Sequence, residues 1–268
     1  MCYLTPMRFN VLGIWLTSTT LNEAVNSLLR WVASREKRYA CVFAVDSILK
    51  CQDDPTLAQI ANAADAVFTD GMPLVWLGKH TARLDTRRCY GPDIMIHTLE
   101  QGCPHTVRHF FYGGADEATM TLLMSRLKER FPSLVIAGHH VPPHRPLTPE
   151  EEEHVTQHIN ACRPDIVWVG IGTPKQDYWL HAFRPRLDAP VLIAVGAAFN
   201  FHAGTVAQAP RWMMRHGLEW LFRLYTEPTR LWRRYLIGNP RFVILLIRQW
   251  LTATPVRLGQ TKGLEARG

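Results

Sequence analysis

The segment DIVWVGIGTPKQD, residues 165–177, decides the fold of this chain. Its first seven residues form a nearly continuous apolar run, which is typical of a strand buried on both faces of a parallel sheet. Gly172 then permits a tight turn, and Pro174 is suited to begin a helix. A buried strand, a turn and a helix in this order form the unit from which α/β domains are built.

The same alternation continues over most of the chain. Short apolar runs are predicted to be strands, and stretches with apolar residues at helical spacing separate them. The predicted strands cover residues 9–16, 40–45, 66–69, 109–112, 134–137, 165–171 and 191–195, and the predicted helices cover residues 20–35, 55–64, 93–100, 117–130 and 149–161. We therefore expect an α/β fold with a Rossmann-like, largely parallel sheet flanked by helices.

Positive charge is concentrated at the C-terminal end. The chain has 268 residues and a formal net charge of +7, of which residues 1–210 carry −1 and residues 211–268 carry +8. We expect an α/β domain over residues 1–210 and a basic, Trp- and Arg-rich helical appendage over residues 211–268. A local excess of cations favours binding of an anionic ligand or an anionic membrane surface.

Several protein classes are disfavoured by the composition. The six cysteines form no C-x-x-C pair, which predicts reduced, buried thiols. The N-terminal segment lacks the basic and long apolar regions of a signal peptide, and the apolar run FVILLI at residues 242–247 is too short to span a bilayer. We expect a cytoplasmic protein that touches the membrane.

Four loops follow predicted strands, at residues 69–71, 113–114, 172–174 and 196–200. Ligands of parallel sheets bind beyond the carboxyl ends of the strands, so these loops are expected on one rim. Gly113 and Gly114 form a turn suited to a nucleotide. The helix start after Gly172 offers backbone N–H groups to an anion, while Lys175 can pair with phosphate and Gln176 can donate and accept hydrogen bonds.

Two aspartates lie at such positions, and each has two interpretations. Asp70 precedes Gly71 and is either a turn residue or a carboxylate held at the rim as a general base. Asp93 follows Pro92 and is either the N-cap of the next helix or a ligand-binding residue. The loop at residues 172–174 is equally open, because an ordinary turn between strand and helix has the same polar residues.

Several common motifs are missing from the sequence. It contains no D-x-D triplet and no H-E-x-x-H spacing, and we predict no metal and no cofactor. The incomplete dinucleotide pattern after residue 112 disfavours an NAD-dependent oxidoreductase. No nucleic-acid partner is expected, because residues 1–210 are slightly acidic and show no recognition motif.

The C-terminal arginines are predicted to share one helical face. Arg223 and Arg230 are seven residues apart, and Arg230, Arg233 and Arg234 are three and four apart. An apolar face is expected beside them, formed by Trp220, Leu221, Leu224, Leu231, Trp232 and Leu236. This pattern is typical of a membrane-interface helix, and the alternative is a solvated helical face.

Taken together, the segments resemble the WecG/TagA/CpsF family of bacterial glycosyltransferases, over roughly residues 9–242. The matching pieces include Thr69-Asp70-Gly71, Gly91-Pro92-Asp93, Phe111-Tyr112-Gly113-Gly114, VGIGTPKQ at residues 169–176, the loop at residues 196–204, GLEWLFR at residues 217–223, and Glu227-Pro228 through Arg233. In this order and spacing the set is highly specific.

The resemblance implies a metal-independent, inverting enzyme that moves a sugar from a UDP-sugar to a polyprenyl-diphosphate-linked acceptor. It also implies that the enzyme acts at the inner face of the cell membrane, in the biosynthesis of an exopolysaccharide or a related cell-surface polysaccharide. By motif position Asp70 is the candidate base, and the substrate-binding residues are Gly71, Asp93, Gly113, Gly114, Gly172, Lys175, Gln176, Asn200, Arg223, Arg230 and Arg233.

Three positions depart from the family pattern. Ala44 stands where the family often has Asn, with Asp46 and Ser47 as nearby substitutes. Asp177 replaces the usual Glu, and Asn200 replaces an Asp, which favours Asp70 as the base.

The departures keep a second function open, namely a non-catalytic nucleotide-sugar-binding or scaffold protein. The donor sugar (glucose, N-acetylmannosamine or a uronic acid) and assembly into a homo-oligomer are left open as well.

Overall fold

The computed structural model describes residues 7–252 and 258–260. Contacts divide the chain into two compact units. Unit 1 draws its described residues from Met1–Thr20, Phe43–Cys89 and Ala209–Gly268, and unit 2 consists of Leu21–Val42 and Tyr90–Gln208. The division expected at residue 210 stays a prediction.

Unit 2 alternates strands and helices. Its helices are α1 (Leu21–Ala33), α5 (Gly91–Gly102), α6 (Glu117–Arg130), α7 (Pro149–Cys162), α8 (Lys175–Phe183) and α9 (Ala198–Ala203), and its strands are β3 (Arg38–Phe43, whose last residue belongs to unit 1), β5 (Arg108–Gly113), β6 (Val135–His140), β7 (Ile166–Gly170) and β8 (Val191–Ala194). The predicted helices and strands of this unit are confirmed to within a few residues.

The larger sheet has six strands in the order β4-β3-β8-β7-β5-β6, in which β4 is Ala66–Thr69. The pairs β3/β8, β7/β8, β5/β7 and β5/β6 are all parallel. β7 lies in the segment DIVWVGIGTPKQD, residues 165–177, and its residues 166–169 are completely buried. The predicted α/β class with a parallel sheet flanked by helices is therefore confirmed.

Unit 1 contains the remaining elements. They are the strands β1 (Met7–Val11), β2 (Ile14–Thr17), β4 and β9 (Leu258–Gln260), the helices α2 (Val45–Asp53), α3 (Pro55–Ala63), α4 (Met72–Trp76), α10 (Arg211–Arg215), α11 (Glu219–Thr226), α12 (Pro228–Trp232) and α13 (Gly238–Leu251), and π-helical turns at Leu77–Thr81 and Arg233–Ile237. Helix α2 was not predicted. Because it begins at Val45, the strand expected over residues 40–45 ends at Phe43.

The strand predicted over residues 9–16 is wrong. The segment is a hairpin, in which β1 pairs with β2 and β9 as an antiparallel sheet in the order β2-β1-β9. Leu12 and Gly13 both have positive φ angles, 50° and 82°, which is the backbone of a tight hairpin turn. Asn10 accepts the Gly13 N–H through its side chain at 3.0 Å.

The single basic face predicted for the C-terminal arginines is also wrong. Helix α11 ends at Thr226, and Pro228 starts α12, where its missing N–H costs nothing. Arg223 and Arg230 therefore belong to different helices. The π-helical turn that begins at Arg233 changes the helical spacing once more.

Helix starts follow the local sequence at one predicted site and correct the prediction at another. At α7, Thr148 and Glu151 form a capping box around Pro149, where the predicted helix over residues 149–161 begins. At α5 the N-cap is Tyr90, so Asp93 lies inside the first turn and is not the cap that the sequence suggested. Pro92 tolerates a first-turn position, which lets the helix begin earlier.

The Gly-Gly turn after β5 has a steric cause. Gly113 has a φ of 128°, and a Cβ atom at this position would lie 2.6 Å from the carbonyl oxygen of Gly170 on the neighbouring strand β7. No side chain fits that space. The neighbouring Gly114 also has a positive φ, and its N–H donates to the same oxygen at 3.2 Å.

Gly113→Ala is expected to destabilise the protein by about 3 kcal/mol, because it combines an unfavourable φ with a backbone clash. Gly172→Ala is the matched control in the same unit, since its φ is 80° but its Cβ would meet no atom within 4 Å. The control should lose only about 1–2 kcal/mol. Urea denaturation measures both, and equal losses would contradict the role of the Gly170 contact.

Candidate active site

A cavity of about 120 Å³ lies within unit 1 and contains the Asp70 carboxylate. Its walls come from the loop after β4, the starts of α2 and α4, and the C-terminal helices. Arginine and carboxylate side chains meet methionine and aromatic ones there. The chemistry of this cavity follows from how its charges are paired.

Asp70 follows β4 directly and is held through its backbone and its side chain. Its N–H donates to the carbonyl of Phe43 at 2.8 Å, which continues the sheet by one residue. Arg88 donates from Nε to the Asp70 carbonyl oxygen at 2.5 Å and from Nη2 to Oδ1 at 2.9 Å. The same Nη2 donates to Oε2 of Glu219 at 2.5 Å. One guanidinium therefore joins two carboxylates.

The environment moves the pKa values of this group of residues. Burial raises the pKa of Asp70, and the neighbouring Glu219 acts in the same direction, whereas Arg88 and Arg234 act against it. Burial alone would lower the pKa of Arg88, but Asp70 and Glu219 raise it well above its usual range. Arg88 is thus a permanent cation, and Asp70 is a carboxylate with increased proton affinity.

A second charged cluster forms another part of the wall. Asp46 accepts from Lys50 at 2.8 Å, and the Nε atom of Arg234 lies 3.7 Å from the same carboxylate. Ala44, the residue that replaces the family's Asn, also lines the cavity, and so does Asp46. Of the two suggested substitutes for that Asn, Ser47 is buried and Asp46 faces the cavity.

The predicted C-terminal arginines have different positions. Arg223 lines the cavity, and its Nη2 atom lies 3.7 Å from Glu227. Arg230 pairs with the same Glu227 but is 61% exposed, and Arg233 packs over the ring of Trp232 on the surface. The structure therefore brings Arg223 together with Asp70 and Gly71, and it leaves Arg230 and Arg233 outside the cavity wall.

Aromatic side chains form the apolar part of the wall. The rings of Trp220 and Tyr235 lie 6.0 Å apart and face the cavity beside Met72 and Met214. Burial raises the pKa of Tyr235, so its hydroxyl stays protonated at neutral pH. Apolar and aromatic walls with a few convergent polar groups are typical of sites for small organic ligands.

The remaining predicted site residues belong to unit 2, where three loops meet at the carboxyl ends of β5, β7 and β8. Gln176 is 2% exposed and links two of these loops. Its Oε1 accepts the Gly196 N–H at 3.1 Å, and its Nε2 donates to the Thr173 hydroxyl at 3.1 Å. Together with the hydrogen bond from Gly114 to Gly170, this confirms that the three loops share one rim. Gln176 thereby has a structural task in addition to its predicted binding role.

Other predicted residues of unit 2 lie around the same rim. Lys175 is the exposed first residue of α8, after Pro174 at the N-cap. Gly172 adopts a positive φ in open space. Asn200 is half-buried in α9, and Asp93 is half-buried in the first turn of α5. Their roles in binding stay predictions.

Neither a metal cluster nor a spanning helix is found in the part of the chain that the structure describes. Over residues 7–252 and 258–260, no three His, Cys, Asp or Glu side chains are grouped as metal ligands. Over the same residues, no helix combines the length and the apolar character needed to cross a bilayer.

Comparison with known proteins identifies the family. A sequence model of the glycosyl transferase WecG/TagA/CpsF family matches residues 9–255. The chain belongs to this family. It is therefore a glycosyltransferase by family, and the resemblance carried by the sequence motifs is confirmed.

Curated relatives of the family cover most of the chain. A protein of Bacillus spizizenii is 29% identical over 80% of both chains, and one of Bacillus subtilis is 26% identical over 71% of both. A protein of Staphylococcus aureus is 22% identical over 84% of this chain and 87% of its own. All three are named N-acetylglucosaminyldiphosphoundecaprenol N-acetyl-beta-D-mannosaminyltransferase.

Several residues of the cavity were not predicted as site residues, among them Arg88, Glu219, Arg234 and Tyr235. Arg88 lies in a segment without helical or strand periodicity, and only its hydrogen bonds reveal its task. Glu219 lies inside the family segment GLEWLFR, residues 217–223, in which only Arg223 was predicted as a site residue. Its position in that segment was the available signal.

Arg88→Met is expected to destabilise the protein by about 2–3 kcal/mol at pH 8, because two buried carboxylates lose their shared cation. The estimate allows for the partial exposure of the three side chains, 16% for Arg88, 25% for Asp70 and 17% for Glu219. Burial already raises the pKa of Asp70, and the loss of Arg88 would raise it further in the folded state. The deficit should therefore shrink as the pH falls towards 5 and the carboxylates take up protons.

Arg87→Met provides the control, because Arg87 pairs with Asp85 in a surface ion pair whose partners are 59% and 67% exposed. That variant should change the free energy of unfolding by less than about 1 kcal/mol at either pH. Urea titrations at pH 8 and pH 5.5 measure both variants. An Arg88→Met deficit that is equal at both pH values would contradict the assigned pairing.

Proposed function

We propose that the protein is an inverting, metal-independent glycosyltransferase, which transfers a sugar from a UDP-sugar to a polyprenyl-diphosphate-linked acceptor. The observation that carries this proposal is the Asp70 carboxylate in the cavity of unit 1, held by Arg88 and surrounded by aromatic walls. Family membership supports the reaction class. The names of the relatives support a lipid diphosphate bearing N-acetylglucosamine as the acceptor class.

In the proposed reaction Asp70 accepts the proton of the attacking hydroxyl group of the acceptor sugar. The acceptor oxygen forms a bond to the anomeric carbon of the donor. The bond from that carbon to the UDP oxygen breaks, and UDP leaves with the electron pair. Because a single displacement occurs on the face opposite the leaving group, the configuration inverts.

Asp70 has properties that suit a general base. The Oδ1 atom is fixed by Arg88, and raised proton affinity favours proton uptake from a hydroxyl group near neutral pH. Arg88 also stabilises the ionised form between turnovers. The guanidinium therefore holds the base in position and keeps it ionised.

The leaving diphosphate requires positive charge, and arginine side chains are its proposed source. Arg223 faces the cavity, while Arg230 and Arg233 lie on the neighbouring surface. Guanidinium groups bind phosphate through paired N–H donors and suit a charge that grows during the reaction. Activity that persists in EDTA would support the metal-independent form of this proposal.

Asp70→Asn is expected to lower turnover by about 10²–10⁴-fold, because the amide cannot accept the proton. UDP release from a panel of UDP-sugars with a synthetic polyprenyl-diphosphate-linked N-acetylglucosamine acceptor measures the effect. Asp85→Asn, which removes an equal charge from an exposed ion pair, should keep wild-type turnover. Turnover within about threefold of wild type in Asp70→Asn would exclude Asp70 as the base.

The same UDP-release assay tests the alternative function and identifies the donor sugar. Binding of a UDP-sugar without UDP release would favour a non-catalytic nucleotide-sugar-binding protein, an interpretation that Ala44 in the cavity wall keeps relevant. Release with one donor among UDP-glucose, UDP-N-acetylmannosamine and a UDP-uronic acid would identify the sugar. The exopolysaccharide assignment is tested through the acceptor that supports the fastest release.

We also propose that unit 1 binds peripherally to the inner face of the cell membrane. Helix α13 exposes five large apolar side chains, each by more than half: Val243, Ile244, Ile247, Trp250 and Leu251. Their spacing places them along one face of the helix. Arg248 lies on the same helix, and an apolar face with nearby cations is typical of membrane-interface helices.

The double variant Ile244→Glu, Ile247→Glu should bind phosphatidylglycerol-containing vesicles at least about tenfold more weakly, because two apolar anchors become charged. Leu122→Glu in α6 is the control, as Leu122 is an exposed apolar residue of unit 2. Vesicle co-sedimentation measures both variants. Unchanged binding by the double variant would exclude α13 as the anchor.

A further inference from the structure

Glu219 and Asp70 share one hydrogen-bond donor atom. Nη2 of Arg88 lies 2.9 Å from Oδ1 of Asp70 and 2.5 Å from Oε2 of Glu219. Arg88 also donates from Nε to the Asp70 carbonyl. The orientation of the Asp70 carboxylate and that of Glu219 are therefore linked through a single rigid, planar group.

The two carboxylates belong to segments far apart in the sequence. Asp70 directly follows the strand β4, and Glu219 is the first residue of α11, which also carries Arg223. Arg88 reaches both segments, because it donates to the carbonyl oxygen and the carboxylate of Asp70 and to the carboxylate of Glu219. Glu219 also adds a negative charge beside the residue that is to accept a proton.

The charges that face Asp70 come from every element around the cavity. Arg88 and Glu219 contact it through the shared guanidinium. Arg234, Arg223 and Asp46 line the same walls, and Tyr235 is the remaining titratable group. Asp46 is already paired with Lys50 at 2.8 Å, and Arg234 lies near Asp46 at 3.7 Å. Among these anionic side chains, Glu219 is the one that accepts a hydrogen bond from the same guanidinium as Asp70.

We propose that Glu219 is a positioning residue for the reaction, which orients the Asp70 carboxylate through the Arg88 guanidinium that both residues contact. The inference rests on the proposed function in taking Asp70 as the base. It assigns Glu219 a task that neither family membership nor the names of the relatives contain. Two anions that share one cation retain one excess negative charge, and this charge favours a proton on the carboxylate.

Loss of Glu219 is expected to affect both the pH profile and the rate of the reaction. Without the negative charge of Glu219, Asp70 ionises more readily, so the acid limb of the pH profile moves to lower pH. Without the hydrogen bond to Glu219, Arg88 loses one of its two anchors, and the geometry of the base loosens. A small loss of position of a catalytic group is enough to lower turnover substantially.

Glu219→Gln is the decisive variant, because the amide keeps the shape of the side chain and removes its charge. The acid midpoint of kcat/KM should move to lower pH by about half a pH unit or more, the size expected for one charge at ion-pair distance in a partly solvated cavity. Turnover at the optimum should fall about tenfold. Glu219→Asp, which keeps the charge, should leave the midpoint close to that of wild type.

Asp53→Asn is the matched control. It also removes one carboxylate that ties a C-terminal helix within unit 1, since Asp53 pairs with Arg241 of α13 at 2.7 and 2.5 Å. Both variants lose one negative charge and weaken the hydrogen bonding of one arginine, because an amide oxygen accepts less strongly than a carboxylate. The control should leave the acid midpoint unchanged. A midpoint that moves equally in Asp53→Asn and Glu219→Gln would overturn the specific task of Glu219.

A direct titration keeps the test independent of activity. The side-chain ¹³C resonance of Asp70, assigned by its loss in Asp70→Asn, reports its protonation in the full-length protein. A lower titration midpoint in Glu219→Gln is expected, and an unmoved midpoint would overturn the inference even if turnover falls. If the resonance moves while the pH profile of the rate does not, the coupling stands and Asp70 is excluded as the base.

Discussion

The guanidinium group of Arg88 is the interaction on which the candidate site depends. A cation that is mostly withdrawn from water is costly unless anions and hydrogen-bond acceptors replace the water, and Arg88 finds both in Asp70 and Glu219. The same contacts join the end of β4 to the start of α11 within unit 1. The position of Asp70, its proton affinity and the attachment of the C-terminal helix are consequently properties of one small network.

The structure shows where the positive charges of the C-terminal segment lie relative to the cavity. The excess of +8 over residues 211–268 is real, but it is not concentrated in the cavity. Arg234 is offset by Asp46, and Arg230 is paired with Glu227 and directed to the surface. The cavity is therefore polar and closely balanced, while the surface keeps cations and the apolar face of α13. One segment in this way carries the proposed reaction site and the proposed membrane surface on different residues.

Much of the fold could be predicted, because buried parallel strands appear in the sequence as short apolar runs, and helical patterns separate them. The predictions that were wrong have local causes. Residues 9–16 form one apolar stretch, and nothing in its hydropathy shows that Leu12 and Gly13 turn the chain back. At the other end, periodicity continued across Thr226 although Pro228 starts a new helix. A turn or a helix break depends on backbone angles, to which a hydropathy pattern is insensitive.

The sequence alone determined the α/β class, the glycine turns, the basic C-terminal segment and, through ordered motifs, the family. It also indicated Asp70, Gly71 and Arg223, which the structure brings to one cavity. Only the tertiary structure decided that Arg88 joins Asp70 to Glu219, that Arg234 faces the cavity, and that Gln176 links two loops of unit 2. The reason is physical: composition and spacing reflect burial and local backbone preference, whereas a shared hydrogen-bond donor exists only after distant segments have packed together.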